Sequence, residues 1–276
     1  VQNSIMINRI KKKKIVFLQH GVISLKKVHH VYKKGGNNTV DLFVTSSEVE
    51  KDIILNYFGY KDEEVVVTGL PRWDVLKDCS NELQTKEILL MPTWRNWLDD
   101  VEDDVFMASD YYKNYMEFLN SEKLSRLLES FDLKLNFYIH PKFREYMSTF
   151  VVNSDRIRLI PFGSEQLNIL MMRCSILITD YSSVCWDVFY QGKPIIFYQF
   201  DLEEYNETQG SYIDMKKDLF GDRVESLDDL LVLMEQYAQN SFKEKLEYQC
   251  RKQDLYKYID TNNSKRICEE IMKRGW

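Results

Sequence analysis

The chain has 276 residues, 44% of them hydrophobic and 29% charged, with a formal net charge of −6. That length holds one large domain or two smaller ones with a sizeable core, and the acidic balance speaks against nucleic acid as a partner, which normally requires a basic footprint. No apolar run approaches the roughly 20 residues of a membrane span, and five scattered cysteines without a CxxC pair fit a reduced, cytoplasmic protein.

The sequence opens at Val1, and its first strand lacks the partners expected before it, so the expectation is the C-terminal part of a longer protein. Four consecutive lysines at 11–14 read as a solvated approach to a strand more readily than as a membrane-facing patch. Residues 15–18 are apolar and form a buried strand candidate that delivers Gln19-His20-Gly21 at its carboxyl end, where a glycine permits close approach of a ligand. Residues 24–38 read as a basic loop. His29 and His30 are adjacent and cannot share a helical face. With four histidines in all, no HExxH and no Cys/His cluster, zinc is not expected.

A strand over 41–44 passes through Thr45-Ser46-Ser47 into a helix over 48–58, and a strand at 65–67 runs into Thr68-Gly69-Leu70-Pro71-Arg72-Trp73-Asp74. Residues 78–86 read as an interdomain connection. A strand over 88–91 ends at Pro92-Thr93-Trp94-Arg95, where the planar Arg95 fork suits a phosphate or a surface ion pair. An acidic loop or lid at 99–104 and one helix over about 111–130 follow. The next strand, 135–139, ends at His140-Pro141-Lys142; another covers 157–160, and a helix covers 165–173.

Ile176-Leu177-Ile178 is too short for a buried helix and right for a strand covered on both faces. It ends in Thr179-Asp180-Tyr181-Ser182-Ser183, which caps a helix from about Val184 and either binds an anion at that terminus or binds nothing. Gly192-Lys193-Pro194 stops this helix, and 195–198 is the next strand. Thus His20, Arg95, His140, Asp180 and Asp201 all finish strands, and in a parallel sheet such ends lie along one edge, where ligands bind. Helices are expected over 227–239, 242–257 and 265–273. Neither GxGxxG nor a P-loop is present.

The ordered set His20-Gly21, Thr68 to Asp74, Met91-Pro92-Thr93-Trp94-Arg95, Ile139-His140-Pro141, Leu177 to Ser183 and the tail Tyr258-Ile259-Asp260 through Ser264-Lys265-Arg266 resembles the CDP-glycerol:poly(glycerophosphate) glycerophosphotransferases, the teichoic acid primases and polymerases of Gram-positive bacteria. The resemblance implies an α/β, GT-B-like fold: Rossmann-like parallel sheets with helices on both faces, in two domains facing a cleft. Residues 1–82 would be the C-terminal portion of an incomplete acceptor-side domain. Residues 83–276 would be the CDP-polyol-binding domain with its C-terminal helices. It also implies transfer of glycerol phosphate from CDP-glycerol to a lipid-linked polyol-phosphate acceptor with release of CMP, in teichoic acid or capsule synthesis.

The family's two motif histidines match His20, as general base, and His140. Thr93, Arg95, Thr179, Asp180, Ser182 and Ser183 are the expected donor-binding set. Asp187, one helical turn beyond Ser183, would meet a ribose hydroxyl or sit on a polar face. Known members usually read His-Gly-Thr-Pro where this chain has His20-Gly21-Val22-Ile23-Ser24. The departure lies on the acceptor side and leaves CDP-ribitol as an alternative donor. No cofactor is required by this reading, though Mg²⁺ assistance is compatible with it. The protein would be peripheral at the inner face of the cell membrane, held through its acceptor or through the missing N-terminal part. The alternatives are a GT-B glycosyltransferase or sugar-nucleotide epimerase, and a non-catalytic nucleotide-binding domain.

Overall fold

The structure is a computed structural model that describes residues 13–276; the first two of the four lysines lie outside the described residues. The chain divides into two units. One comprises the described residues up to Leu76 with Ser211–Ile213 and Gln249–Trp276; the other comprises Lys77–Gly210 and Asp214–Tyr248. The division therefore falls at Leu76 rather than after residue 82, and the C-terminal tail belongs with the first unit.

In the first unit β1 (Val16–Phe17), β2 (Leu42–Thr45) and β3 (Val65–Val67) form a parallel sheet in that order, with Phe17 opposite Phe43 and Phe43 opposite Val65. β1 is shorter than its apolar run because Gln19 adopts a left-handed conformation, φ +62°, which takes the chain out of the sheet. The helix Glu48–Phe58 crosses from β2 to β3; Ser47 caps its start, accepting from the Glu50 N–H, and Gly59 at φ +77° ends it. Phe17, Phe43, Ile54, Phe58 and Val65 pack between helix and sheet.

The motif Thr68 to Asp74 and the tail motif form one structure. Asp74 accepts from the Asn263 and Ser264 N–H groups, each at 2.8 Å, and so caps the last helix, Asn263–Lys273. Arg266 donates to the Thr68 carbonyl at 2.9 Å. Gly69 is required beside them: φ is +78°, and a Cβ there would lie 1.9 Å from Asn263 Oδ1. Ser211–Ile213 is held in this unit by Tyr212, whose N–H donates to the Ser24 carbonyl and whose hydroxyl accepts from the Val28 and His29 N–H groups.

The second unit is a six-stranded parallel sheet. Its strands are β4 (Lys86–Leu90), β5 (Leu133–Tyr138), β6 (Ile157–Ile160), β7 (Cys174–Thr179), β8 (Ile195–Tyr198) and β9 (Asp222–Val224), in the order β6-β5-β4-β7-β8-β9. The order reverses between β4 and β7. The strands alternate sides as the pleat requires: Ile88, Leu90, Phe137, Ile178 and Tyr198 share a core with the helices Asp110–Leu119, Glu122–Ser130 and Leu227–Gln239, while Phe197 turns to Phe220, against which Trp186 and Phe189 stack. With helices on both faces, the central strands are buried along their whole length.

Three local expectations differ. The single helix over 111–130 is two, because Ser121 turns extended and its hydroxyl accepts the Leu124 N–H, starting a new helix. The acidic loop contains a short helix, Asp103–Ala108, and the basic loop contains another, His29–Tyr32.

Candidate active site

In the first unit β1 delivers His20 at an exposed turn, with its imidazole edge-on to Phe17 at 5.8 Å between centroids. Partial desolvation, helped by the nearby Arg72 guanidinium, holds the imidazole below its ordinary pKa. The ring is accordingly neutral around pH 7, the form a base needs. The loop behind it, Val22 to Leu25, is buried.

In the second unit the reversal of strand order brings the carboxyl ends of β4 and β7 side by side, the place where open parallel sheets bind ligands. Beneath this edge lies Arg95, 0% exposed. Its Nε and Nη2 grip the two carboxylate oxygens of Asp201 at 2.6 and 3.1 Å, and its Nη1 donates to Asp180 Oδ2 at 2.8 Å and the Thr93 carbonyl at 2.6 Å. Asp180, also 0% exposed, takes the Thr93 N–H at 2.8 Å, and the Tyr181 N–H as well. The guanidinium lies 4.9 Å from the centre of the Tyr181 ring, which stacks on Tyr205 at 3.6 Å; Tyr181 in turn donates its hydroxyl to Asp201. Burial alone would lower the Arg95 pKa, but Asp180 and Asp201 outweigh it, so the cation persists. Burial raises the Tyr181 and Tyr205 hydroxyls far above their usual range, and they stay protonated.

This arrangement buries four of the expected donor residues. The Arg95 fork does not await a phosphate; it is an internal brace joining the tails of β4, β7 and β8. Asp180 belongs to that brace. Thr179 is fully buried and donates to the Met91 carbonyl at 2.7 Å, locking β7 to the chain after β4. Asp187, 4% exposed, lies in the helix Val184–Tyr190. Polar residues at strand ends signalled the right edge, but not which side chains turn inward.

Four expected residues lie along that edge. Ser182 and Ser183 are half-buried; Ser182 Oγ accepts the Val184 N–H at 3.4 Å, and Ser183 does not cap its helix. Thr93 is held by its backbone to Asp180, and its hydroxyl is buried without a partner among the described residues. His140 follows β5, half-buried beside Trp94 at 6.1 Å, and its Nδ1 accepts the Lys142 N–H at 3.2 Å. A neutral ring so held carries its proton on Nε2 and presents a donor there. Lys142 is paired with Asp99 at 2.7 Å, which raises its pKa, and lies 5.4 Å over the Trp94 ring.

Sequence reasoning missed two residues. Gln199, fully buried, ties the β7 tail to β9 by donating to the Asp180 carbonyl and accepting from Arg223; it carried no signal beyond closing a strand. Glu50, 1% exposed, accepts from the Ile23 N–H and from the Ser46 N–H and hydroxyl, each at 2.7 Å. Its signal was the spacing Ser47-x-x-Glu50, a capping-box pattern.

The sequence matches the CDP-Glycerol:Poly(glycerophosphate) glycerophosphotransferase family over residues 1–273. The chain belongs to that family. Over 268 residues it is 30% identical to the minor teichoic acid biosynthesis protein GgaB of Bacillus subtilis (strain 168), covering 94% of this chain and 29% of GgaB. It is 27% identical to the teichoic acid ribitol-phosphate polymerase TarK of Staphylococcus aureus (strain NCTC 8325 / PS 47), covering 94% of this chain and 52% of TarK. The chain thus spans only part of the length of these relatives. The structure of the wall teichoic acid polymerase TagF superposes with a TM-score of 0.68 at 19% identity, over 95% of this chain and 68% of that one, so this glycerophosphotransferase-family chain shares its fold. The parallel α/β, Rossmann-like class expected from the motifs holds.

Proposed function

We propose that this chain is the transferase portion of an enzyme that moves glycerol phosphate from CDP-glycerol to a hydroxyl of a lipid-linked glycerol-phosphate acceptor, in teichoic acid or related polymer synthesis. The acceptor oxygen bonds to the β-phosphorus, the bond to CMP breaks, and the acceptor proton passes to His20. Neutral His20 suits this role. His140, with Nδ1 engaged by Lys142, offers Nε2–H to the departing phosphate. Thr93, Ser182 and Ser183 are the proposed donors to the diphosphate oxygens. The observation that carries this reading is the reversal of strand order between β4 and β7, which puts these hydroxyls at the carboxyl ends of neighbouring strands in a member of this family.

The test is CMP release from CDP-glycerol with a glycerol-phosphate primer, on these residues and on the full-length protein. His20→Ala should lower the rate by roughly 10²–10⁴-fold; wild-type turnover by that variant would remove the proposed base. Because the working form is unprotonated, the rate should fall as pH drops through the His20 pKa, below the ordinary value of about 6.5. CDP-ribitol turning over faster than CDP-glycerol would reassign the donor. Preference for a UDP-sugar in calorimetry would overturn the class, and CDP binding without turnover in the full-length protein would make it a binding domain.

This reading requires no metal, with Mg²⁺ assistance as the alternative: a rate unchanged by EDTA supports the first, and a rate lost to EDTA and restored by Mg²⁺ supports the second. Among the described residues no helix is long and apolar enough to cross a membrane. Attachment to the inner face of the membrane, through the acceptor or through sequence outside these residues, is tested by flotation with vesicles that contain or lack acceptor lipid.

A further inference from the structure

We propose that Glu50 is the positioning residue of His20, tying the loop that follows it to the end of β2. After His20, the Ile23 N–H donates to Glu50 Oε1 at 2.7 Å. Before it, Gln19 stands at φ +62°, its side chain donating to the Val44 carbonyl of β2. Glu50 Oε2 takes the N–H and the hydroxyl of Ser46, each at 2.7 Å, just past the end of β2. One carboxylate therefore pins the turn around His20 to the strand beside it.

A helix cap alone does not account for this carboxylate. Ser47 already caps the helix, accepting the Glu50 N–H at 3.2 Å, and the Glu of a capping box would return to the Ser47 N–H. Glu50 instead reaches one residue further back and across to the loop. A buried anion is costly unless well satisfied, and here every donor around it comes from the His20 loop, from Ser46 or from the helix start, where negative charge is favoured. Only an acceptor-only group can take the Ile23 N–H, the Ser46 N–H and the Ser46 hydroxyl together; an amide would set its own NH₂ against one of the two backbone donors. Burial raises the Glu50 pKa against these donors.

The role rests on His20 being the base, but its test does not. With only four histidines in the chain, imidazole NMR titration resolves His20 from His29, His30 and His140. In Glu50→Gln the released loop relieves the partial desolvation of His20, and its pKa should rise toward the ordinary value while the other three keep theirs; exchange of the Ile23 amide should quicken by tenfold or more. In the transferase assay kcat should fall by roughly 10²-fold, the effect of misplacing a reacting group by about 1 Å, with the KM for CDP-glycerol unchanged. If Glu50→Gln fails to fold, Ser46→Ala removes one donor to the same carboxylate, leaves the bond to Ile23 in place, and should raise the His20 pKa in the same direction. An unchanged His20 titration in the folded variant, or all four histidines moving together, would overturn the proposal. Full activity of His20→Ala with the NMR shifts as expected would instead discard the base and keep the positioning.

Discussion

Each unit buries an ion behind its strand ends, and the two are satisfied in opposite ways. Glu50 in the first unit is met by dipoles from backbone N–H groups and a hydroxyl. Arg95 in the second is met by two full charges, Asp180 and Asp201, inside a ring of tyrosines. Removing the first ion leaves dipoles that can turn or find water. Removing the second leaves two carboxylates facing each other in a dry interior, which is far worse. The Arg95 brace is thus a matter of integrity, and the Glu50 clasp one of loop geometry.

Substitutions can break this contrast or sharpen it. Arg95→Met should have the largest effect, about 3–5 kcal/mol in urea unfolding, with part of it recovered when Asp180 and Asp201 are both changed to Asn. Glu50→Gln should cost about 1–3 kcal/mol, the range for a buried hydrogen-bond partner lost; a loss equal to that of Arg95→Met would erase the distinction. Gly69→Ala should cost about 1–2 kcal/mol for the left-handed conformation alone, plus whatever it takes to move Asn263 Oδ1 from 1.9 Å of the new Cβ.

Asp74→Asn should cost about 1 kcal/mol at pH 7, as loss of a charged cap. Burial would raise the Asp74 pKa, but the Ser264 and Asn263 donors outweigh it and hold it below the usual range. Its contribution is therefore complete above the unfolded value of about 3.9, and fades as pH falls through the lower folded value. Denaturation from pH 7 to pH 2 should show wild type and variant converging at the acid end. Breaking the exposed Lys123–Asp228 pair, with side chains 69% and 78% accessible, should leave the unfolding midpoint unmoved.

The central strands were legible because buried parallel strands are apolar along their whole length: residues 195–198 match their strand end for end, as do the less buried 65–67 and 157–160. The edge holding the site was legible too, since a row of polar residues closing successive apolar strands adds nothing to a core and suits a ligand-binding edge. Side-chain direction was not. Arg95 and Ser183 both follow strands, yet one faces the interior and the other the surface, and this depends on partners such as Asp201 and Tyr205 more than a hundred positions away. Glu50 stood at capping-box spacing from Ser47, but nothing local marked it as a clasp, because its partner Ile23 lies on another loop. The Asp74 cap joins residues 189 apart, beyond the reach of any local pattern.

That last joint orders events in time. The second unit is complete once Tyr248 has been made, but the first, begun at the other end of the chain, takes in Gln249–Trp276. On the ribosome it must wait, with the Gly69 turn and Trp73 uncovered, until the closing helix emerges. Of the two units, the one whose strands come earlier in the chain is finished later, and during that interval its uncovered surface is exposed to aggregation.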